Sequence, residues 1–220
     1  GNANSLYALG RDAARALEGA REQVAASIGA ARAEEVIFTS GGTESDNTAL
    51  IGLATAGGRA SGHVIVSAFE HHAVLEPAWW LGKHGFEITE LAPRTDGVIH
   101  PEDLAAALRD DTVLVSVMHG NNEIGTLQPI AALAAAAHER GALFHTDAAQ
   151  TLGKVDFDVA ALGVDAASFS GHKIYGPKGT GALYLKRGTR LTPYLIGGGQ
   201  EDKRRSGTLH VAGNAGFATA

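Results

Sequence analysis

The chain has 220 residues, 45% of them hydrophobic, and a formal net charge of −6. Those figures suit one large globular domain with ample core, and an acidic balance without a dense basic block argues against nucleic acid as the main partner. Cysteine is absent, which excludes disulfides, thiolate metal sites and a cysteine nucleophile within these residues.

No apolar run approaches the roughly 18 residues of a membrane span, and no signal peptide is visible, so a cytoplasmic protein without a membrane partner is expected. The chain starts at Gly1 and stops at Ala220 inside an alanine- and glycine-rich helical stretch that carries no closing signal. Residues 1–220 are therefore expected to form one domain that is incomplete at both ends.

In chain order, residues 10–28 read as an amphipathic helix, with Ala14, Leu17, Ala20, Val24 and Ile28 on one face. A buried strand is predicted at 36–39. Ser40-Gly-Gly-Thr-Glu-Ser-Asp46 follows and leads into a helix through Ala49, Leu50 and Leu53. The next strand, 63–67, runs toward Glu70-His-His72 and a helix carrying Val74, Leu75, Trp79 and Leu81. Residues 86–91 alternate as a strand does, and 101–108 read as a short helix. A strongly apolar strand at 112–118 ends in His119-Gly-Asn-Asn-Glu123, and an alanine-rich helix spans 130–140. The strand 142–145 ends in Thr146-Asp-Ala-Ala-Gln150. Two last strands, one around Val164 to Phe169 and one from Ala182 to Leu185, flank a Gly/Pro-rich turn holding Ser170, His172 and Lys173. Strand, polar turn and helix recur, which predicts a three-layer α/β/α domain with a mostly parallel sheet.

In open α/β sheets, ligands bind outside the carboxyl ends of the strands. Here those ends carry Gly42 and Thr43, His71, Asn122, Asp147 and Gln150, and finally Ser170, His172 and Lys173. Singly, each has a bland reading. The Ser-Gly-Gly-Thr run is a turn and N-cap, His71 a satisfied surface histidine, Asn122 a loop cap, Asp147 a helix cap and Lys173 a snorkelling turn residue. Together they resemble one site suited to pyridoxal 5'-phosphate. Gly42 and Thr43 offer amides and a hydroxyl to a phosphate at a helix start. Asp147 offers a carboxylate to a pyridinium nitrogen. A partly desolvated Lys173 offers a nucleophilic amine for a Schiff base. His71 supplies a flat ring for stacking, Gln150 a donor for the phenolic oxygen, and Ser170 and His172 further donors for the phosphate.

The segments Phe38-Thr-Ser-Gly-Gly-Thr-Glu-Ser-Asp-Asn47, Glu70-His-His-Ala-Val-Leu75 and Met118-His-Gly-Asn-Asn-Glu-Ile-Gly125 carry a wider likeness. So do His145-Thr-Asp-Ala-Ala-Gln150, Ser168-Phe-Ser-Gly-His-Lys-Ile-Tyr-Gly-Pro-Lys178 and Arg205-Ser-Gly-Thr-Leu209. In this order, and over nearly the whole chain, they resemble the cysteine desulfurase family, within the aminotransferase-like fold-type I enzymes that use pyridoxal phosphate. The resemblance implies that Lys173 is the Schiff-base lysine and proton shuttle, that Asp147 pairs with the ring nitrogen and that His71 stacks on the ring. It places Asn122 and Gln150 near the phenolic oxygen and the substrate, and Gly42, Thr43, Ser170 and His172 at the phosphate. It also implies a homodimer in which Thr208 reaches the phosphate of the neighbouring subunit.

The family's N-terminal segment and C-terminal small domain have no counterpart in residues 1–220. With the latter go the sulfur-accepting cysteine and a substrate-binding arginine. The expectation is a large-domain fragment of an enzyme converting L-cysteine to L-alanine, its sulfur passing to a persulfide and on to an acceptor or scaffold protein for iron–sulfur or thio-cofactor synthesis. Alone, these residues are expected to be inactive. A selenocysteine lyase, an aminotransferase of the same fold, or a non-catalytic fragment are the rival readings.

Overall fold

The computed structural model describes all 220 residues. Its strands are β1 (Val36–Thr39), β2 (Gly62–Ser67), β3 (Phe86–Leu91), β4 (Thr112–Ser116), β5 (Leu143–Asp147), β6 (Ala166–Ser170) and β7 (Gly181–Leu185). Its helices are α1 (Ala8–Ser27), α2 (Gly42–Ala54), α3 (His72–Gly82), α4 (Pro101–Ala107), α5 (Ile130–Glu139), α6 (Val159–Leu162) and α7 (Val211–Thr219). The seven strands form one sheet in the order β1-β7-β6-β5-β4-β2-β3. The block from β6 to β3 is parallel. β7 runs antiparallel to both β6 and β1.

Strand side chains alternate between the two faces, and each face is covered by helices. Val36, Phe38, Ile65, Val115, Phe144, Ala167 and Phe169 point into a larger core shared with α1, α4, α5 and α7. Ile37, Val64, Val66, Leu114, Ala166 and Leu183 point into a smaller core under α2 and α3. β3, at the edge of the sheet, is the least covered strand: only Phe86 is buried, and Glu87 and Glu90 are exposed.

Local chemistry fixes several boundaries. Pro101 opens α4, where its missing N–H costs nothing. Gly163 ends α6 at φ 70°, a left-handed conformation that suits a residue without Cβ. Asp158 starts the same helix, its Oδ1 accepting from the amides of Ala160 and Ala161 at 2.8 and 2.9 Å. Replacing Asp158 with Ala should cost about 1 kcal/mol of stability, read as a lower midpoint in urea unfolding with an unchanged slope. A change in slope, or none in midpoint, would remove this cap from the account.

Arg21 lies on the buried face of α1, where a charge needs partners. Its two terminal nitrogens each donate to a carboxylate oxygen of Glu201 at 2.7 Å, and one also donates to the Val36 carbonyl at 2.6 Å. The guanidinium sits 4.9 Å from the centre of the Phe38 ring. Glu201, Asp202 and Lys203 all adopt positive φ, at 48°, 54° and 65°. Each such residue is held against a steric cost of roughly 1–2 kcal/mol, so the buried ion pair pins a strained turn in the loop that follows β7.

Candidate active site

Five strand ends and the turns after them converge on one hollow of about 530 Å³. Gly42 and Thr43 enter from the first turn of α2, His71 from the turn after β2, and Asn122 from the loop after β4. Asp147 and Gln150 come from the end of β5, and Ser170, His172 and Lys173 from the end of β6. These nine residues of the sequence analysis line the same space. Thr208 does not; it is exposed on the loop that precedes α7.

The α2 end is shaped by close backbone approach. Gly41 caps the helix at φ 152°, a conformation that favours glycine. A Cβ at Gly181 would lie 2.7 Å from the Gly41 backbone, so position 181 needs glycine for β7 to pass beneath the turn, whereas Gly41 has open space around it and is selected by its φ alone. The first amides of an α-helix have no intrahelical acceptor, and the helix dipole adds positive potential there. Ser170 Oγ sits beside them, 3.0 Å from His172 Nδ1. This end of the hollow therefore presents donors to an anion.

Asp147 lies on the floor, 6% exposed. Its Oδ1 accepts from the Ala149 amide at 2.8 Å, a local turn with no helix after it. Burial pushes its carboxyl upward, against the lowering influence of the Ala149 amide and of the neighbouring His71 and Lys173 side chains. The His71 ring caps α3 by accepting from the Ala73 amide at 3.0 Å. The loop-capping role open to Asn122 is instead taken by buried Asn121, whose Oδ1 accepts from the amides of Glu123 and Ile124 and whose Nδ2 donates to the Phe69 carbonyl. Asn122 is thereby left exposed at the rim.

Beneath the floor is a buried polar layer that the sequence reading did not single out. His145 bridges three strands, with Ser116 Oγ at 2.8 Å from Nδ1 and Ser168 Oγ at 2.9 Å from Nε2. Burial lowers its pKa to about 3, so the ring is neutral. Asp46 Oδ1, 3.7 Å from His145 Nε2, has no hydrogen-bond partner, and neither does Glu70 Oε2. Glu70 Oε1 accepts from Ser67 Oγ and from the Met118 amide. Burial and the Asp147 charge push Asp46 well up, and burial pushes Glu70 up to about 8. Asp46 was visible in the sequence in one respect: it precedes Ala49 and Leu50 by a helical turn, on the buried face of α2.

The aminotransferase class-V family model matches residues 1–220. The chain belongs to the aminotransferase class-V family. Within it, the chain is 51% identical over 220 residues to a cysteine desulfurase IscS of Dictyoglomus turgidum and 47% identical to one of Methanosarcina thermophila. All of this chain is covered in both matches, against 56% and 54% of those relatives, so the chain spans about half their length. A solved structure described as SspA in complex with cysteine superposes with a TM-score of 0.96 at 40% identity, covering 100% of this chain and 63% of that one. DndA from Streptomyces lividans gives a TM-score of 0.88 at 47% identity, over 100% and 63%. The class-V fold and the likeness to cysteine desulfurases agree with the sequence reading.

Proposed function

We propose that these residues form the cofactor-binding part of a pyridoxal-phosphate-dependent cysteine desulfurase, acting on L-cysteine. One observation carries the reading. A buried acceptor carboxylate, an amine and an anion cradle meet in a single hollow at the carboxyl edge of the sheet. That donor set matches the ring nitrogen, aldehyde and phosphate of the cofactor in order.

When bound, pyridoxal phosphate supplies an electron sink for the substrate's α-carbon. Asp147 keeps a proton on the ring nitrogen, as a buried carboxylate beside a cation does. Lys173 presents the amine that holds the cofactor and then carries the proton at the substrate carbon. His71 offers a ring face, while Gln150 and Asn122 offer amides to the phenolic oxygen and the substrate. Gly42, Thr43, Ser170 and His172 hold the phosphate. Thr208 reaches the phosphate site of a second copy in a homodimer; its exposure and its place outside the hollow support that assignment.

The test is a titration of the protein with pyridoxal phosphate, followed by absorbance and then by addition of L-cysteine. Saturable binding of one cofactor per chain, with a spectral change on adding L-cysteine, is the expected result. Absence of saturable binding would overturn the reading. Residues 1–220 hold no cysteine, so stoichiometric alanine and sulfide at enzyme-like turnover are not expected from them alone.

A further inference from the structure

Glu44 is out of place in a cradle for an anion. It follows Thr43 in the first turn of α2 and lines the same hollow, and its side chain is 10% exposed. A buried carboxylate beside a phosphate would repel it, and low effective dielectric strengthens that repulsion.

The loop after β7 supplies the compensation. Arg205 Nε donates to Glu44 Oε1 at 2.6 Å and its Nη2 donates to Oε2 at 3.0 Å. The Ser40 amide adds a third bond to Oε2 at 2.9 Å. The arrangement is a bidentate fork, the strong form of an arginine–carboxylate contact. Burial alone would raise the Glu44 carboxyl, but the bonds from Arg205 and Ser40 outweigh it and hold the group below its ordinary value. Glu44 is therefore an anion matched by a cation. The cation is firmly held, since the Arg21–Glu201 pair anchors the strained turn immediately before it. The other titratable groups lining this hollow are Asp46 from α2, His71 from the turn after β2, Asp147 from β5, and His172 and Lys173 from the turn after β6, with Glu201 on the Arg205 side.

We propose that Arg205 is a positioning residue that neutralises Glu44, so that the first turn of α2 accepts a phosphate group beside a carboxylate. The proposal rests on the pyridoxal phosphate reading. It differs from a plain tether in its sign. With a tether, loss of either partner, or of both, does the same harm. With neutralisation, loss of Arg205 exposes a bare anion to the phosphate, and loss of the Glu44 charge as well removes the harm.

The experiment measures dissociation constants for pyridoxal phosphate, and for pyridoxal without phosphate, in wild type, Arg205→Gln, Glu44→Gln and the double variant. Glutamine at 44 keeps an acceptor for the Ser40 amide. Arg205→Gln should weaken pyridoxal phosphate by about tenfold or more, the equivalent of about 1.4 kcal/mol. The double variant should recover most of that loss. Pyridoxal affinity should change by less than about threefold throughout, because the repulsion it escapes falls on the phosphate. Thermal melts of the four proteins establish that each is folded. Equal weakening in the single and double variants, no weakening in Arg205→Gln, or equal effects on both ligands would each overturn the proposal. Failure of wild type to bind pyridoxal phosphate would instead overturn the reading beneath it.

Discussion

Borohydride treatment of the protein with pyridoxal phosphate should fix the cofactor on Lys173 and on no other lysine, and Lys173→Ala should abolish that fixation while leaving the fold. Lys173 is the one lysine that lines the hollow. Its alternatives are placed elsewhere. Lys154 donates to Gln150 Oε1 at 3.3 Å from the exposed side, Lys178 is exposed, and Lys186 pairs with Asp165 at 3.9 Å. Holding an amine next to its reaction partner is worth an effective molarity of about 10⁵ M or more, so a distant lysine does not compete. Because Lys173 is only partly buried and makes no core contact that its methylene stem must fill, truncation should move the melting temperature little. Peptide mapping of the reduced protein reads the outcome. Label on Lys154 or Lys178, or undiminished label in Lys173→Ala, would sink the assignment.

The second large effect concerns stability and pH. Glu70 is fully buried and its carboxyl is raised from 4.5 to about 8, first by burial and then by the Asp147 charge, against the bonds from Ser67 and Met118. Between those two values the folded chain holds a proton that the unfolded chain has released. The folded state then binds more protons, so stability must fall as pH rises through that window and level off above about 8. A shift of this size corresponds to about 5 kcal/mol, at roughly 1.4 kcal/mol per unit. Glu70→Gln keeps an acceptor for the Ser67 hydroxyl and the Met118 amide but has no proton to lose. Its new amide nitrogen lacks a partner, a penalty that does not depend on pH. Relative to wild type, the variant should therefore gain stability steadily from about pH 5 to about pH 8 in urea unfolding without added cofactor. A difference that is flat with pH, or that shrinks as pH rises, would show that Glu70 is ionised in the folded protein.

Much of the site was legible because its residues sit where pattern is strongest. Each of Thr43, His71, Asp147 and Lys173 follows an apolar strand at a turn, and a parallel sheet sends all such turns to one edge. The direction of β7 was not legible. A short apolar run has the same appearance whether it pairs parallel or antiparallel, and only the tight turn after β6, too short for a crossover helix, favours reversal. The Arg21–Glu201 and Glu44–Arg205 pairs were hidden for another reason. Their partners lie 180 and 161 residues apart, and a charge on a helix face gives no sign of a mate that distant. The capping role of Asn121 turned on a one-residue choice between adjacent asparagines, which local composition cannot make.

The edge position of β1 bears on how the chain matures on the ribosome. β1 has one neighbour, β7, with Val36 opposite Tyr184 and Thr39 opposite Gly181. Ser45 in α2 likewise bonds the Ala182 carbonyl, 137 residues away. The strand that launches the phosphate end of the hollow thus emerges early in translation and has no sheet to join until β7 has been made. Contacts of such long separation form slowly, and an unpaired strand edge invites association with other chains meanwhile. The parallel block from β2 to β6 can assemble first, which makes the Gly41–Gly42 turn one of the last parts of the domain to take shape. Released chains truncated before residue 181 should then lack the one strand that pairs with β1, with α2 still unable to receive a phosphate.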